Sequence, residues 1–399
     1  MTFTSIATPV RVHAGDDALA RLPQEVDRCQ ATRVYVLCSN SVATRSPLLD
    51  RIRALLGHRF AGAYTRLRKD APLEDVQAAA ADAKACGADL LVAAGAGSVL
   101  KAARVVAIAL GEPGVLIDLA TRYPAGGAPV SPRLNAPKPP IINVPTVASS
   151  AQCRAGSALR RADGGARLEF FDPKTRPVAI LWDRAALLSA PPELSLSTGL
   201  AVYWRALMNR GAIDQANPLV CASRLHGFTL AASALPRMTD PEDAQARLDM
   251  CAAALLQNRD EDDGGRPFDA HWIARVVYAL GAGLFNRVPT LDQGRTHAVL
   301  TSATMRHFAD QAPDAVDQIG QALGLAPEQS RQPHAVIEAV EQVFHGPAPG
   351  LGLPRRLPDV TDADREAALA AALCNFNADR ARTLQLHESR LRAILRETT

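Results

Sequence analysis

The sequence predicts two domains, an N-terminal α/β domain with a parallel sheet and an all-helical C-terminal domain. The chain has 399 residues, which is more than one simple hydrophobic core usually serves. Short apolar runs rich in β-branched residues alternate with amphipathic stretches as far as Asp183. After Pro191 helical periodicity continues without strand candidates. We therefore expect domains at residues 1–183 and 184–399.

The strands of the first domain are predicted from four buried apolar runs. They are Arg33–Cys38, Asp89–Ala94, Pro140–Val144 and Val178–Trp182. Helices are predicted over Leu73–Cys86, which Gly87 ends by adopting a left-handed cap, and over Ser98–Leu110. Continuous apolar strands separated by helices indicate a parallel sheet that is covered on both faces.

The second domain is predicted to consist of helices separated by glycine and proline. The acidic run from Asp260 to Gly265 lies between two helical stretches. Consecutive like charges usually face water, so this run is predicted to be a solvated surface loop.

Composition and charge exclude several classes of protein. With 44 basic and 41 acidic residues the net charge is +3, far from the basic footprint of a nucleic-acid-binding protein. Seven scattered cysteines without a CxxC pair favour a reducing compartment and disfavour a disulfide framework or structural zinc. The start of the chain lacks the features of a signal peptide, and no apolar run reaches the roughly 20 residues of a membrane span. We expect a cytoplasmic protein.

A small-residue loop suggests a phosphate site. Gly95, Ala96, Gly97 and Ser98 follow a predicted strand and open a predicted helix. Small residues there let the backbone N–H groups approach a pyrophosphate, with the helix dipole facing the anion. A tight strand-to-helix turn with no ligand is the alternative interpretation.

Several motifs in a shared order resemble those of iron-containing (group III) alcohol dehydrogenases, within the dehydroquinate synthase-like superfamily. Gly95 to Arg104 is similar to the family pattern Gly-Gly-Gly-Ser-x-x-Asp-x-x-Lys, with Lys101 at the Asp position and Arg104 at the Lys position. Pro145 to Cys153 keeps the outline of a second signature, Pro-Thr-Thr-Ala-Gly-Thr-Gly-Ser-Glu. Within the family the motifs are nearest to maleylacetate reductases, with which the chain shares His297.

The resemblance implies a Rossmann-like first domain that binds NAD(P)H, and a homodimer. The residues that it implies for cofactor binding are Gly95, Ala96, Gly97, Ser98, Lys101, Ser39, Thr146 and Ser149. Ser39 lies in the turn Cys38–Ser41, which lacks the carboxylate that many NAD-selective folds place after the second strand, and Arg45 is nearby. NADPH is therefore expected to bind at least as well as NADH.

The metal positions of the family are substituted. Three stretches, Ser197–Arg205, Val277–Gly281 and Asp292–Gly294, resemble the segments that carry the family's Asp and three His ligands. In register, the four ligand positions hold Ala201, Arg205, Tyr278 and Gln293. None is a usual ligand for a divalent cation, so no metal is expected.

The resemblance places the active site between the two domains and gathers Arg205, Tyr278, Gln293 and His297 there. Arg205 and Gln293 are the candidates for substrate binding, and Arg205 could hold a carboxylate or stabilise an enolate. Tyr278 or His297 could deliver the proton. Alternatively, Arg205 forms a surface ion pair, Tyr278 packs in the core and His297 is a satisfied helix residue.

Two functions remain open at this point. The first is a metal-independent NAD(P)H-dependent reductase or dehydrogenase of a small, anionic carbonyl or unsaturated keto-acid substrate. The alternative is a repurposed family member without redox activity, either a lyase, isomerase or cyclase or a ligand-binding pseudoenzyme.

Overall fold

The computed structural model describes residues 2–6, 8–124, 128–161 and 167–399. They form two compact units. The first, here called the α/β unit, comprises Thr8–Pro192 and Pro241–Cys251. The second, here called the helical unit, comprises Glu193–Asp240 and Ala252–Thr399 with the described residues before Thr8. The expected domain boundary at residue 183 stays a prediction.

The α/β unit is built on a six-stranded parallel sheet with the order β1-β8-β5-β4-β2-β3. A separate antiparallel hairpin pairs β6 with β7. The strands are β1 Arg11–Gly15, β2 Val34–Cys38, β3 Phe60–Tyr64, β4 Leu90–Gly95, β5 Ile141–Pro145, β6 Gly156–Leu159, β7 Leu168–Phe171 and β8 Ala179–Asp183.

In the described residues, α-helices alternate with the strands of the sheet and make up nearly all of the regular structure after it. Those up to Leu188 are α1 Leu22–Arg28, α2 Asn40–Arg45, α3 Leu48–Leu56, α4 Leu73–Ala85, α5 Gly97–Gly111 and α6 Arg184–Leu188. The next five are α7 Pro192–Arg210, α8 Pro218–Ala234, α9 Ala244–Asp262, α10 Trp272–Arg287 and α11 Gln293–Phe308. The last five are α12 Pro313–Ala322, α13 Pro327–Ser330, α14 Pro333–His345, α15 Asp362–Leu373 and α16 Glu388–Thr398.

The predicted fold class, an α/β region with a parallel sheet followed by a helical region, is confirmed. The four predicted strands correspond to β2, β4, β5 and β8, and α4 ends before Gly87, whose φ is +63°. The predicted strand set was incomplete, because β1 and β3 also join the sheet. These two are its edge strands: β1 contains an arginine and a histidine, and β3 has no β-branched residue and is mostly half-buried. An edge strand needs less apolar sequence, so its pattern is weaker.

Both faces of the sheet are buried, as the continuous apolar strands predicted. Tyr35 and Leu37 of β2 pack into one hydrophobic cluster with α4 and α5. Val34, Val36 and Cys38 of the same strand pack into a second cluster with α1 and α3. This alternation follows from the two-residue period of a strand. Burial on both faces holds the sheet in place, and the loops of the candidate site extend from the ends of its strands.

The prediction of a solvated loop at Asp260–Gly265 was wrong. Asp260 and Asp262 belong to α9, and Asp260, Asp262 and Asp263 are all buried. The reason is tertiary pairing, because Arg224 binds Asp260 and Arg205 binds Glu261. A run of acids faces water only where no cation from elsewhere in the fold neutralises it.

None of the helices in the described part of the chain has the length and apolarity needed to cross a membrane.

Candidate functional site

In the α/β unit the predicted cofactor residues follow the carboxyl ends of three neighbouring strands. Ser39 follows β2, the Gly95–Ser98 loop begins at the end of β4, and Thr146 follows β5. From β2 the chain adds β3 on one side and then returns to add β4 on the other side. Helices that diverge at such a switch point leave a crevice, which is where open parallel sheets bind ligands.

The glycines of the loop allow a close approach to its backbone. Gly95 has φ +155°, and a Cβ on it would lie 2.8 Å from Cγ2 of Val99. A Cβ on Gly97 would lie 3.1 Å from Oγ of Ser149. Ala96 is the N-cap of the 15-residue helix α5, so N–H groups of its first turn are free to bind an anion. This cradle fits the phosphates of a dinucleotide.

Hydrogen bonds connect the loop to its neighbours. The N–H of Thr146 donates to the carbonyl of Gly95 at 3.2 Å. The N–H of Asp70 donates to Oγ of Ser98 at 2.9 Å, and the N–H of Ala151 donates to Oγ of Ser149 at 3.1 Å. Ser39 caps α2 by accepting from Val42. The structure thus brings together every predicted cofactor residue of the two signature loops.

The substituted charges of the first signature lie beside this loop. Arg104 is buried and donates to Oγ of Ser157 and to the carbonyl of Ala151, at 2.9 and 2.6 Å. It therefore holds the second signature loop in place with neutral acceptors. The pKa of Lys101 is lowered to about 8, mainly by burial and also by the nearby cations Arg167, Arg104 and Arg154, while Asp70 opposes the shift.

In the helical unit Arg205 is the central charge of the site. Its Nη2 atom lies 2.7 Å from Oε1 of Glu261 and donates to the carbonyl of Gln257 at 2.9 Å. The guanidinium also lies over the ring of Phe268, with Cζ 5.2 Å from the ring centre. Arg205 is therefore in an ion pair, as the alternative interpretation held, but the pair is not on the surface, because the arginine is only 5% exposed.

Aromatic rings connect Arg205 to the other candidates. Phe268 stacks on Tyr278 with ring centres 4.0 Å apart, and Tyr278 lies 6.1 Å from His297. His297 is buried against Trp204, and neither of its ring nitrogens has a hydrogen-bond partner in the part of the chain that the structure describes. Burial lowers the pKa of His297 to about 3, so its imidazole is neutral at pH 7.

The positions of the expected metal ligands come together, but their residue types do not suit a metal. The start of α11 packs on α7, since a Cβ on Gly294 would lie 2.9 Å from the backbone nitrogen of Ala201. Gly294, which follows Gln293 in the sequence, thus lies against Ala201, while Arg205 and Tyr278 both contact Phe268. Among the described residues no group of three or more His, Cys, Asp or Glu side chains is arranged to hold a metal ion. A guanidinium–carboxylate pair occupies this region instead.

Two residues of this site were not predicted from the sequence. Glu261 was included in the acidic run that was expected to be solvated, and Phe268 carried no signal. A clue to Glu261 was available, because acidic residues at the carboxyl end of a helix oppose its dipole and so require a nearby cation.

Comparison with known proteins finds similar proteins over most of the chain. Residues 9–184 match the family model of iron-containing alcohol dehydrogenases. A maleylacetate reductase from Burkholderia cepacia is 26% identical over 353 residues, which are 86% of each chain.

Two solved structures share the fold. The maleylacetate reductase from Agrobacterium tumefaciens superposes with a TM-score of 0.72 at 20% identity, over 100% of this chain and 98% of that one. The sulfoacetaldehyde reductase from Bifidobacterium kashiwanohense, solved in complex with NAD+, gives 0.77 at 16% identity, over 99% and 98%. Residues 9–184 thus resemble iron-containing alcohol dehydrogenases, and the chain is similar to maleylacetate reductases over most of its length.

Proposed function

We propose that this protein is an NAD(P)H-dependent reductase of a small anionic carbonyl or unsaturated keto-acid, and that it works without a bound metal. The observation that carries the proposal is the Arg205–Glu261 ion pair, which lies where the family motifs place metal ligands. A protein cation there offers the positive charge that a metal would otherwise supply to the substrate oxygen.

The cofactor part of the proposal is supported by the cradle at Gly95–Ser98 and by the relatives. Reductases are among the similar proteins, and the one from Bifidobacterium kashiwanohense was solved with NAD+. The turn after β2 carries Ser39 and no carboxylate, and Arg45 at the end of α2 donates to Oγ of Ser41. A 2′-phosphate therefore meets no repelling charge from this turn.

The residues of the helical unit then perform the remaining chemistry. A nicotinamide dinucleotide held by the Gly95–Ser98 cradle would supply the hydride for reduction of the substrate. Arg205 stabilises the negative charge that develops on the substrate oxygen, and its planar fork suits a carboxylate or an enolate. Tyr278 is the candidate for protonating the product, because it is half-buried. His297 is a neutral imidazole that is fully buried against Trp204. Gln293 is the further candidate for holding the substrate.

Fluorescence titration of the purified protein with NADH and NADPH tests the proposal. We expect both to bind, with NADPH at least as tight as NADH. Failure to bind either dinucleotide would favour the repurposed, non-redox function, and a hundredfold preference for NADH would contradict the assignment of the turn at Ser39.

A further inference from the structure

The acidic end of α9 holds two ion pairs of different character. Acids at the carboxyl end of a helix face the negative end of its dipole, so Asp260 and Glu261 need cations from elsewhere in the fold. Arg224 supplies one, with Nε 2.8 Å from Oδ2 of Asp260, and Arg205 supplies the other. The two pairs follow each other in sequence, so their difference in burial is informative.

The Arg224–Asp260 pair is sealed. The side chains are 4% and 1% exposed, Asp260 also accepts from Asn209 at 3.1 Å, and Arg224 also donates to the carbonyl of Ala212 at 2.9 Å. If a ligand displaced either side chain from the pair, the displaced charge would stay buried without a counter-ion, which is strongly unfavourable. This pair is structural.

The Arg205–Glu261 pair is open on its acidic side. The arginine side chain is 6% exposed, but the glutamate side chain is 32% exposed. Glu261 can therefore leave Arg205 and remain solvated, whereas Arg205 cannot reach water by itself. An incoming carboxylate would compensate Arg205 in its place.

Arg205 does not depend on Glu261 for its position. Its Nη2 atom also donates to the carbonyl of Gln257, and the side chain of Gln257 donates to the carbonyl of Val202 at 2.7 Å, which ties α9 to α7 beside the arginine. Phe268 covers the guanidinium face. The cation is thus held by neutral contacts that persist when the carboxylate moves.

From this asymmetry we infer that Glu261 is a specificity-determining residue, an internal counter-ion that competes with the carboxylate of an anionic substrate for Arg205. The inference rests on the proposed role of Arg205 in substrate binding. It predicts that only a ligand carrying an anionic group displaces Glu261, because a neutral carbonyl compound offers Arg205 no replacement charge. An anion can bind only those molecules in which Glu261 has left Arg205. The apparent affinity for anions is therefore the intrinsic affinity multiplied by the fraction of such molecules.

Calorimetric titration with succinate, a dicarboxylate that cannot be reduced, tests the inference without any redox turnover. Because the titration contains no dinucleotide, a failure of the reductase proposal does not affect it. Glu261→Gln should bind succinate about tenfold tighter than the wild type, as expected if the competing state is populated about nine-tenths of the time. Glu388→Gln is the matched control, since Glu388 pairs with Arg392 in an exposed position, and should leave the affinity unchanged.

Further variants separate competition from a structural role. Glu261→Asp keeps the charge but shortens the side chain, so it should tighten succinate binding by a smaller factor than Glu261→Gln. It serves as the test variant if Glu261→Gln does not fold. Adding Arg205→Met to Glu261→Gln should abolish the gain. An affinity that is unchanged or weaker in both Glu261 variants, a gain that survives loss of Arg205, or no succinate binding at all would overturn the inference.

Discussion

The loop region of the α/β unit and the Arg205 region of the helical unit both depart from the family motifs, but with different consequences. Around Gly95–Ser98 two charges of the signature are substituted, and the cradle is nevertheless present, with its glycine geometry and its helix start. Around Arg205 the fold again brings the family positions together, but no ligand set for a metal results among the described residues.

The difference teaches which parts of a site a backbone can preserve. Phosphate binding depends mainly on backbone N–H groups and on the absence of Cβ atoms, so we expect it to survive the changes at Lys101 and Arg104. Metal binding depends on the donor atoms of a few side chains, so we propose that the four substitutions remove it while the helices stay in place. We therefore expect substitutions at Arg205 to change substrate binding and turnover, and substitutions in the Gly95–Ser98 loop to change dinucleotide affinity.

The largest effect is expected at Arg205, where that contrast predicts a loss of substrate binding and turnover without a loss of dinucleotide binding. Arg205→Ala should lower kcat/KM by roughly 2–4 kcal/mol of transition-state stabilisation, as for a lost charged or oxyanion contact. Arg205→Lys should cost less, because an ammonium keeps the charge but not the planar fork. Steady-state kinetics checks both, and dinucleotide affinity serves as the control that should not change. Wild-type turnover in the Ala variant would return Arg205 to a structural role.

A bulky residue in the cradle should have the opposite pattern. Gly97→Val places a side chain against Ser149, and overpacking of this kind costs roughly 1–3 kcal/mol, which is about 5- to 160-fold in dinucleotide affinity. Gly156→Ala is the matched control, because its Cβ would make only an ordinary 3.8 Å contact with Phe171. Unchanged NADPH binding by the Val variant, measured by fluorescence, would exclude this loop as the cofactor site.

Sequence reasoning located the backbone features better than the side-chain pairings. The central strands and the loop at Gly95 were predicted because hydrophobic periodicity and glycines report local structure. The edge strands were missed because their burial is partial, and Glu261 was misjudged because its partner Arg205 lies 56 residues away in sequence. Long-range ion pairs and unpartnered groups such as His297 depend on packing, which no local pattern encodes.

His297 offers a smaller, pH-dependent effect in the helical unit. Its pKa in the folded protein is about 3, below the ordinary value of 6.5, because of burial. Below pH 6.5 the unfolded chain therefore binds a proton that the folded chain does not, so this residue lowers stability as the pH falls from about 6.5 towards 3.

Replacing His297 should reduce that acid sensitivity. His297→Leu removes the titration and leaves no buried polar atom without a partner, so denaturation at pH 4–7 should show a flatter loss of stability, by up to about 1.4 kcal/mol per pH unit for one proton. His226→Gln, at an exposed position in the same unit, is the control. An unaltered slope in His297→Leu would show that His297 is not the buried neutral group described here.

The smallest expected effect is at Lys101 in the α/β unit. Its pKa is lowered to about 8, so the side chain is protonated below pH 8 and loses its charge above it. Dinucleotide affinity should therefore fall as the pH rises from 7 to 9, by about fivefold if one charged contact is worth about 1 kcal/mol. Lys101→Met should abolish this dependence, and Lys84→Met, at an exposed position on α4, should not. The same pH dependence in both variants would assign it to another group.

The central claim, that a protein cation has taken the place of a metal in this dehydrogenase scaffold, is tested most directly by elemental analysis of freshly purified protein. The account predicts no stoichiometric iron or zinc, and a melting temperature that a chelator does not change. About one metal ion per chain, removable by a chelator with a loss of melting temperature, would contradict it.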